Sequence, residues 1–230
     1  MFTNRFRNHR EAHPNSDFAI EDKGVYIRTK GVIYRETPLT IDLCTEFLHQ
    51  GAQHTLANWM ALSERTGAKF GVGNLPQYFA TLHSWYLHRE DPKNKAIIGE
   101  AQHRINALFT DKRILTASEV RYTALEDIVA HDPHTPKERT FSTPISGKEG
   151  PLNPLVNDPG LNVLFEAENT QQINDVLSWI STRPVYIFRH TSTKKETLTV
   201  RIGNYSNYFF VGLGKSMHDD YSAIGMRIHH

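Results

Sequence analysis

The last third of the chain has the pattern that most limits how it can fold. From Thr170 to Ser181, apolar residues recur at spacings of three and four, which predicts a helix with one buried face. Four short segments follow in which apolar and polar residues alternate, at 185–190, 198–202, 208–213 and 223–228. A period of two is typical of strands buried on one side. Because the connections are short, we expect an antiparallel four-stranded meander backed by the helix.

The preceding part of the chain contains helical signals. Residues 37–51 begin with Thr37-Pro38, a typical N-cap followed by proline, and Leu39, Leu43 and Phe47 repeat every four residues. Three further helices are predicted from near residues 55, 74 and 91. The predicted fold class is therefore α+β, with an N-terminal block of about four helices and a β-rich half that ends in the helix-backed meander.

These patterns suggest three regions. Residues 1–36 are predicted to form a basic arm and a β-hairpin with its turn at Lys30-Gly31. Residues 37–111 would form the helical block, and residues 112–230 an α+β region. The last region includes an irregular Pro-rich loop at 133–160. The helical block and the α+β region are also compatible with one common domain.

Composition excludes several classes of protein. A formal net charge of +1 over 230 residues argues against a strong nonspecific grip on nucleic acid or anionic lipid. The single cysteine, Cys44, excludes an intrachain disulfide and a multi-cysteine zinc site, so we expect a reducing, cytoplasmic compartment. No apolar run approaches the roughly 18 residues that would span a bilayer, so no membrane association is expected.

Two short motifs contain residue types that are typical of ligand sites. Gly212 to Ser216 ends in Gly-Lys-Ser, but Phe209 stands where a phosphate-binding loop requires glycine. His131 and His134 are metal-ligand types in close order, although a metal site needs three or four convergent ligands. A polar turn after a strand explains them as well, and we expect no metal and no cofactor.

A basic and aromatic set on the predicted meander is the best candidate for a binding surface. Its members are Arg189, His190, Lys194, Lys195, Arg201, Tyr205 and Tyr208. Aromatic rings and cations together can hold single-stranded nucleic acid, and His190 and His218 are the candidate acid–base residues if the protein cleaves RNA. The alternative is that Tyr186, Phe188 and Phe210 form a second core layer beneath the N-terminal helices.

Three function classes remain open. The first is a noncatalytic binding or assembly protein with a protein partner or with a second copy of itself. The second is a nucleic-acid-binding or metal-independent RNA-cleaving protein. The third is a small-molecule enzyme with its site between the two halves. We favour the first, because every complete catalytic motif that we tested fails on a required residue.

Overall fold

The computed structural model describes residues 17–66, 69–122, 127–131, 140–142, 149–189, 196–213 and 221–229. These residues form five α-helices and twelve strands in two sheets. The helices are α1 Leu56–Thr66, α2 Leu75–His88, α3 Lys95–Asp111, α4 Pro159–Phe165 and α5 Thr170–Ser181. The strands are β1 Ala19–Asp22, β2 Tyr26–Tyr34, β3 Thr37–Phe47, β4 Gly71–Val72, β5 Ile114–Tyr122, β6 Asp127–His131, β7 Thr140–Ser142, β8 Gly150–Pro151, β9 Val185–Phe188, β10 Glu196–Tyr205, β11 Tyr208–Gly212 and β12 Ile224–His229.

The strands pair into one five-stranded and one seven-stranded sheet. The smaller sheet has the order β1-β2-β3-β12-β4, and its described pairs are all antiparallel. The larger has the order β7-β6-β5-β10-β11-β9-β8, in which β11 and β9 run parallel and the other described pairs are antiparallel. An isolated bridge between Ile114 and Ser222 links β5 to the segment that leads into β12.

Helices α2 and α3 lie between the two sheets. Helix α2 contacts β2 and β5, and α3 contacts β3 and β10, so each touches both sheets. Trp85 of α2 donates a 2.8 Å hydrogen bond to the hydroxyl of Thr29 on β2. Phe109 of α3 packs edge-on against Phe209 of β11, with 5.1 Å between ring centroids. Each sheet therefore has an inner face buried against α2 and α3 and an outer face turned away from these two helices.

The prediction of a helix over residues 37–51 is wrong, because this segment forms β3. Leu39, Ile41 and Leu43 are buried and alternate with polar residues along the strand. A spacing of four fits the strand period of two as well as the helical period of 3.6, so Leu39, Leu43 and Phe47 do not distinguish the two structures. The fold is α+β, but it is strand-rich from its first described residues, and an N-terminal block of four helices is absent from them.

The turn predicted at Lys30-Gly31 is a bulge inside β2. The pairing of β2 with β3 shifts register between Thr29 and Val32, and Gly31 takes a positive φ of 72°. The chain reverses instead at Arg35-Glu36, whose φ angles of 49° and 63° are those of a two-residue type I′ hairpin. Strand β1 lies within the region predicted as an arm, and residues 1–16 lie outside the described part of the chain.

The predicted antiparallel meander is wrong in topology, although its helix and strands occur where they were expected. Strand β11 lies between β10 and β9 and is parallel to β9. Strand β12 belongs to the other sheet, where it pairs with β3 and β4. The predicted apolar face of α5 is confirmed, since Ile173, Val176, Leu177 and Ile180 are all buried and α5 contacts β9 and β11.

The helices predicted from near residues 55, 74 and 91 correspond to α1, α2 and α3. In the described part of the segment at 133–160, β7, β8 and the start of α4 replace some of the predicted irregular loop. None of the described helices combines the length and apolar composition needed to cross a lipid bilayer.

Candidate binding surface

Five aromatic rings lie together on the outer face of the seven-stranded sheet. Successive residues of a strand point to opposite faces. Because Val185, Ile187, Phe209 and Val211 are buried on the inner face, the residues that alternate with them point outward. We call this set the aromatic face; it consists of Tyr186, Phe188, Tyr205, Tyr208 and Phe210.

The rings of the aromatic face form one connected cluster. The Tyr186 ring centroid lies 4.6 Å from that of Phe188 and 5.3 Å from that of Tyr208. The Phe188 centroid is 5.9 Å from that of Phe210 and 6.2 Å from that of Tyr205, and both contacts are edge-on. These are the distances of attractive aromatic pairs. Rings that already contact one another lose little rotamer freedom when a partner covers them.

Arg113 adds a positive charge to the aromatic face. Its guanidinium carbon lies 5.2 Å from the Tyr205 centroid and 5.4 Å from the Phe210 centroid, within the range of cation–π attraction. The segment before β5 can come this close because of Gly203 on β10. A Cβ at Gly203 would lie only 3.2 Å from the Lys112 carbonyl oxygen and 3.3 Å from that of Phe109.

Exposure changes across the aromatic face. Phe210 is only 4% exposed, whereas Tyr205 is 50% and Tyr208 is 39% exposed. Phe210 therefore forms a buried floor, and the two tyrosines form a rim near the β10–β11 turn. The cluster therefore contains both buried and exposed rings.

A different part of the same outer face is covered by α1. Leu56 and Trp59 of α1 pack with Leu115 and Ala117 of β5. The Trp59 indole also donates a 2.8 Å hydrogen bond to the carbonyl of Tyr221. This helix-covered layer lies on β5. Tyr186, Phe188 and Phe210, which were predicted to form a second core layer beneath the N-terminal helices, are not part of it.

Arg201, predicted to bind a ligand, lies inside the structure at the border between these two parts. It is 6% exposed, its guanidinium donates a 2.5 Å hydrogen bond to the Tyr221 hydroxyl, and its guanidinium carbon lies 4.7 Å from the Tyr221 ring centroid. The neighbouring Gly212 leaves room for the Phe210 ring, because a Cβ there would lie 3.0 Å from that ring. Arg201 is therefore buried, with its guanidinium against the Tyr221 side chain.

Arg189, another predicted binding residue, forms an ion pair with Asp158. The Asp158 carboxylate also accepts a 3.1 Å hydrogen bond from the backbone N–H of Leu161 and thereby caps α4. The pair lies in a shallow cleft beside Gly150, Leu152 and Asn153. Much of the charge of Arg189 is thus balanced within the protein.

The remaining predicted binding residues, His190, Lys194 and Lys195, lie outside the described residues, as do His134 and His218. Of the predicted residues that the structure describes, Tyr205 and Tyr208 lie together on the aromatic face, Arg201 lies buried at its border and Arg189 is paired with Asp158.

His131 is fully buried, and its surroundings are those of a structural histidine. Its Nδ1 lies 2.9 Å from the Ser118 hydroxyl, which also accepts a hydrogen bond from the backbone N–H of Leu75 at the start of α2. Burial lowers the pKa of His131 to about 4, so the ring is neutral near pH 7. A carboxylate oxygen of Glu166 is 4.0 Å from Nε2.

These residues resemble the parts of a serine–histidine–carboxylate site, but they lack access for a substrate. Ser118 and His131 are both fully buried. Glu166 is also held by Arg35 through two hydrogen bonds to one carboxylate oxygen, of 2.7 and 3.1 Å, and a 2.9 Å bond to the other. Within the described ranges, no three histidine, cysteine, aspartate or glutamate side chains come together in a group that could hold a metal ion.

Sequence reasoning missed Arg113 as a member of the binding surface. Its place beside Tyr205 and Phe210 depends on the pairing of β5 with β10, in which Ile114 faces Ile202. These residues are far apart in the sequence, so no local pattern joins them. The available signal was weak: an arginine directly before an alternating segment.

The chain has no detectable similarity to known proteins, since no family model, curated protein or solved structure matches it.

Proposed function

We propose that this is a noncatalytic binding or assembly protein that docks a protein partner on its aromatic face. The observation that carries the proposal is the cluster of five contacting rings and Arg113 on a part of the sheet that α1 does not cover.

The composition of the aromatic face is that of a protein-binding hot spot. Tyrosine, phenylalanine and arginine are enriched at the centres of protein–protein interfaces, where a few such residues supply most of the binding free energy. Tyr205 and Tyr208 combine exposed rings with hydroxyl groups that can donate or accept hydrogen bonds. Burying two exposed rings of this size contributes favourable free energy without removing a full charge from water.

The electrostatics favour a protein over a nucleic acid as the partner. Nucleic-acid affinity depends on several cations that neutralise phosphates. Among the residues that the structure describes, Arg113 is the cation within cation–π distance of these rings, whereas Arg189 is paired with Asp158 and Arg201 is buried against Tyr221. The ring contacts are tilted or edge-on, so the rings do not form parallel slots for stacked bases.

Site-specific photocrosslinking tests this proposal directly. A benzophenone amino acid replaces Tyr208 in the full chain, in cells that express the protein naturally. The matched control carries the same group at Ile33, which is 52% exposed on the outer face of the five-stranded sheet. We expect irradiation to yield an adduct of discrete mass from position 208, absent from position 33, that survives nuclease and is destroyed by protease.

Two outcomes would contradict the proposal. Equal adducts from both positions, or none from position 208, would mean that the aromatic face is not a docking surface. An adduct that nuclease destroys would favour the alternative of a nucleic-acid-binding protein. In that case binding should also weaken steeply with salt.

A further inference from the structure

The outer face of the five-stranded sheet has a charged cluster that is independent of the aromatic face. Arg28 on β2, Asp42 on β3 and Arg227 on β12 are cross-strand partners in one row. With neighbouring strands about 4.8 Å apart, the two arginine Cα atoms lie roughly 10 Å from each other with Asp42 between them. The three side chains therefore meet over the central strand.

Asp42 is the fully buried centre of this cluster. Its Oδ1 accepts a 2.8 Å hydrogen bond from Nε of Arg28, and its Oδ2 accepts a 3.0 Å bond from Nη2 of the same side chain. Oδ2 also accepts from Nε and Nη2 of Arg227 and lies 2.9 Å from Nε2 of His229. Burial by itself would raise the pKa of Asp42, but these hydrogen bonds, first that of Arg28, hold the pKa well below its ordinary value.

Aromatic rings hold the two guanidinium groups from the side. The guanidinium carbons of Arg28 and Arg227 lie 5.8 and 5.6 Å from the Tyr26 ring centroid. Arg227 is also 4.9 Å from the centroid of Phe70. The two guanidinium planes are thus restrained by the Asp42 carboxylate at one edge and by aromatic rings beside them. This arrangement preorganises the N–H donors that do not bind Asp42.

Each guanidinium keeps one terminal nitrogen for another acceptor. Both arginines use Nε and Nη2 toward Asp42, and Nη1 of each has no hydrogen-bonding partner within the part of the chain that the structure describes. The two side chains are 26% and 27% exposed, whereas Asp42 has no exposed surface. The N–H edges of the two guanidinium groups are therefore accessible to water or a ligand, whereas the Asp42 carboxylate is not.

The charge of the cluster is unbalanced. Two guanidinium groups share one carboxylate, which leaves a net positive charge before His229 is counted. The neighbouring acid on β1, Glu21, is engaged by Lys23 at 2.7 Å and by Lys30 at 3.4 Å. By contrast, Arg35 and Glu166 form a one-to-one pair, with no excess charge to attract an anion.

We propose that the exposed edge formed by Arg28, Arg227 and His229 binds the phosphoryl group of a small soluble phosphate monoester, with Asp42 as the residue that positions the two arginines. Guanidinium groups match phosphate oxygens in geometry and charge, and two of them held in one row can contact the same group. His229 is 38% exposed, and its Nε2 lies at the same edge, 2.9 Å from Asp42 Oδ2.

In the test, the full chain is titrated with inorganic phosphate as the probe. Binding is measured by calorimetry and by the side-chain Nε–Hε signals of arginine in an NMR spectrum. We expect saturable binding with a dissociation constant of about 1 mM or lower. The Arg28 and Arg227 signals should shift during the titration, while the Arg35 signal should not. Chloride at the same ionic strength should not reproduce these shifts.

Variants make the assignment specific. Arg227→Lys keeps the charge but loses the planar donor edge, so phosphate binding should weaken about tenfold or more. Arg35→Lys changes a balanced pair elsewhere and should leave binding unchanged. The wild-type titration stands even if Arg227→Lys folds poorly. Absence of saturable binding by wild type, shifts that chloride reproduces, or full binding by a folded Arg227→Lys would each overturn the proposal.

Discussion

The outer faces of the two sheets differ in how their exposed side chains are held. On the seven-stranded sheet, aromatic rings contact one another: Phe188 contacts the buried Phe210 and the exposed Tyr205, and Tyr186 contacts the exposed Tyr208. On the five-stranded sheet, the buried Asp42 carries two arginines. The first face can lose water from its rings at little electrostatic cost, whereas the second keeps its charges in place through a carboxylate. The first property is what we expect of the proposed protein-docking surface, and the second is what we expect of the proposed phosphate site.

The largest expected effect comes from the buried ring of the aromatic face. Phe210→Ala removes a ring that is 4% exposed and leaves a cavity, so the free energy of unfolding should fall by about 3 to 5 kcal/mol. Urea unfolding measures the change, and Tyr208→Ala at the rim is the control, with an expected loss below about 1 kcal/mol. Similar losses for both variants would show that the face is not divided into floor and rim.

The charged face should depend on its carboxylate in a similar way. Asp42→Asn removes the charge that holds Arg28 and Arg227, and the free energy of unfolding should fall by about 2 to 3 kcal/mol. The control is Asp22→Asn, because Asp22 pairs with Arg104 at a carboxylate that is 40% exposed. An exposed pair contributes less than about 1 kcal/mol. If the Asp42 variant unfolds like wild type, the arginines do not need the carboxylate for their positions.

Acid should distinguish the two faces. The pKa of Asp42 is lowered in the folded state, so its stabilisation is present above the ordinary pKa of about 4 and is lost as the pH falls below that value. The stability gap between wild type and Asp42→Asn should therefore close below about pH 4, by up to about 1.4 kcal/mol per pH unit. The gap between wild type and Phe210→Ala should stay constant over the same range, as measured by urea unfolding at each pH. A gap for Asp42→Asn that is unchanged at pH 3 would contradict the assigned ion pairs.

The sequence predicted the parts of the fold in which one period is unambiguous. The stripe of Ile173, Val176, Leu177 and Ile180 fits a helix alone, and α5 is present as expected. The spacing of Leu39, Leu43 and Phe47 fits both periods, and the Thr37-Pro38 start favoured the wrong one. With residues 37–51 predicted as a helix, the sequence offers β12 no partner strand outside the last third of the chain. The predicted fold therefore places β12 in the wrong sheet.

The two outer faces also differ in how far they can be predicted from the sequence, because one depends on local sequence and the other on strand pairing. Tyr205 and Tyr208 lie on either side of a short turn, so their proximity follows from local sequence. Asp42 and Arg227 are separated by 185 positions and meet only because β3 pairs with β12. That cluster can be recognised only when the strand pairing is known, because no residue spacing in the sequence indicates the cluster.

In the proposed function, the exposed rim of the aromatic face supplies most of the binding free energy. Once the protein captured from position 208 is purified, its dissociation constant can be measured by calorimetry against wild type, Tyr205→Ala and Tyr208→Ala, with Ile33→Ala as the control on the other sheet. We predict that each tyrosine variant remains folded and binds at least about tenfold more weakly, while Ile33→Ala binds like wild type. Unchanged affinity in both tyrosine variants, or equal losses in all three, would contradict the account.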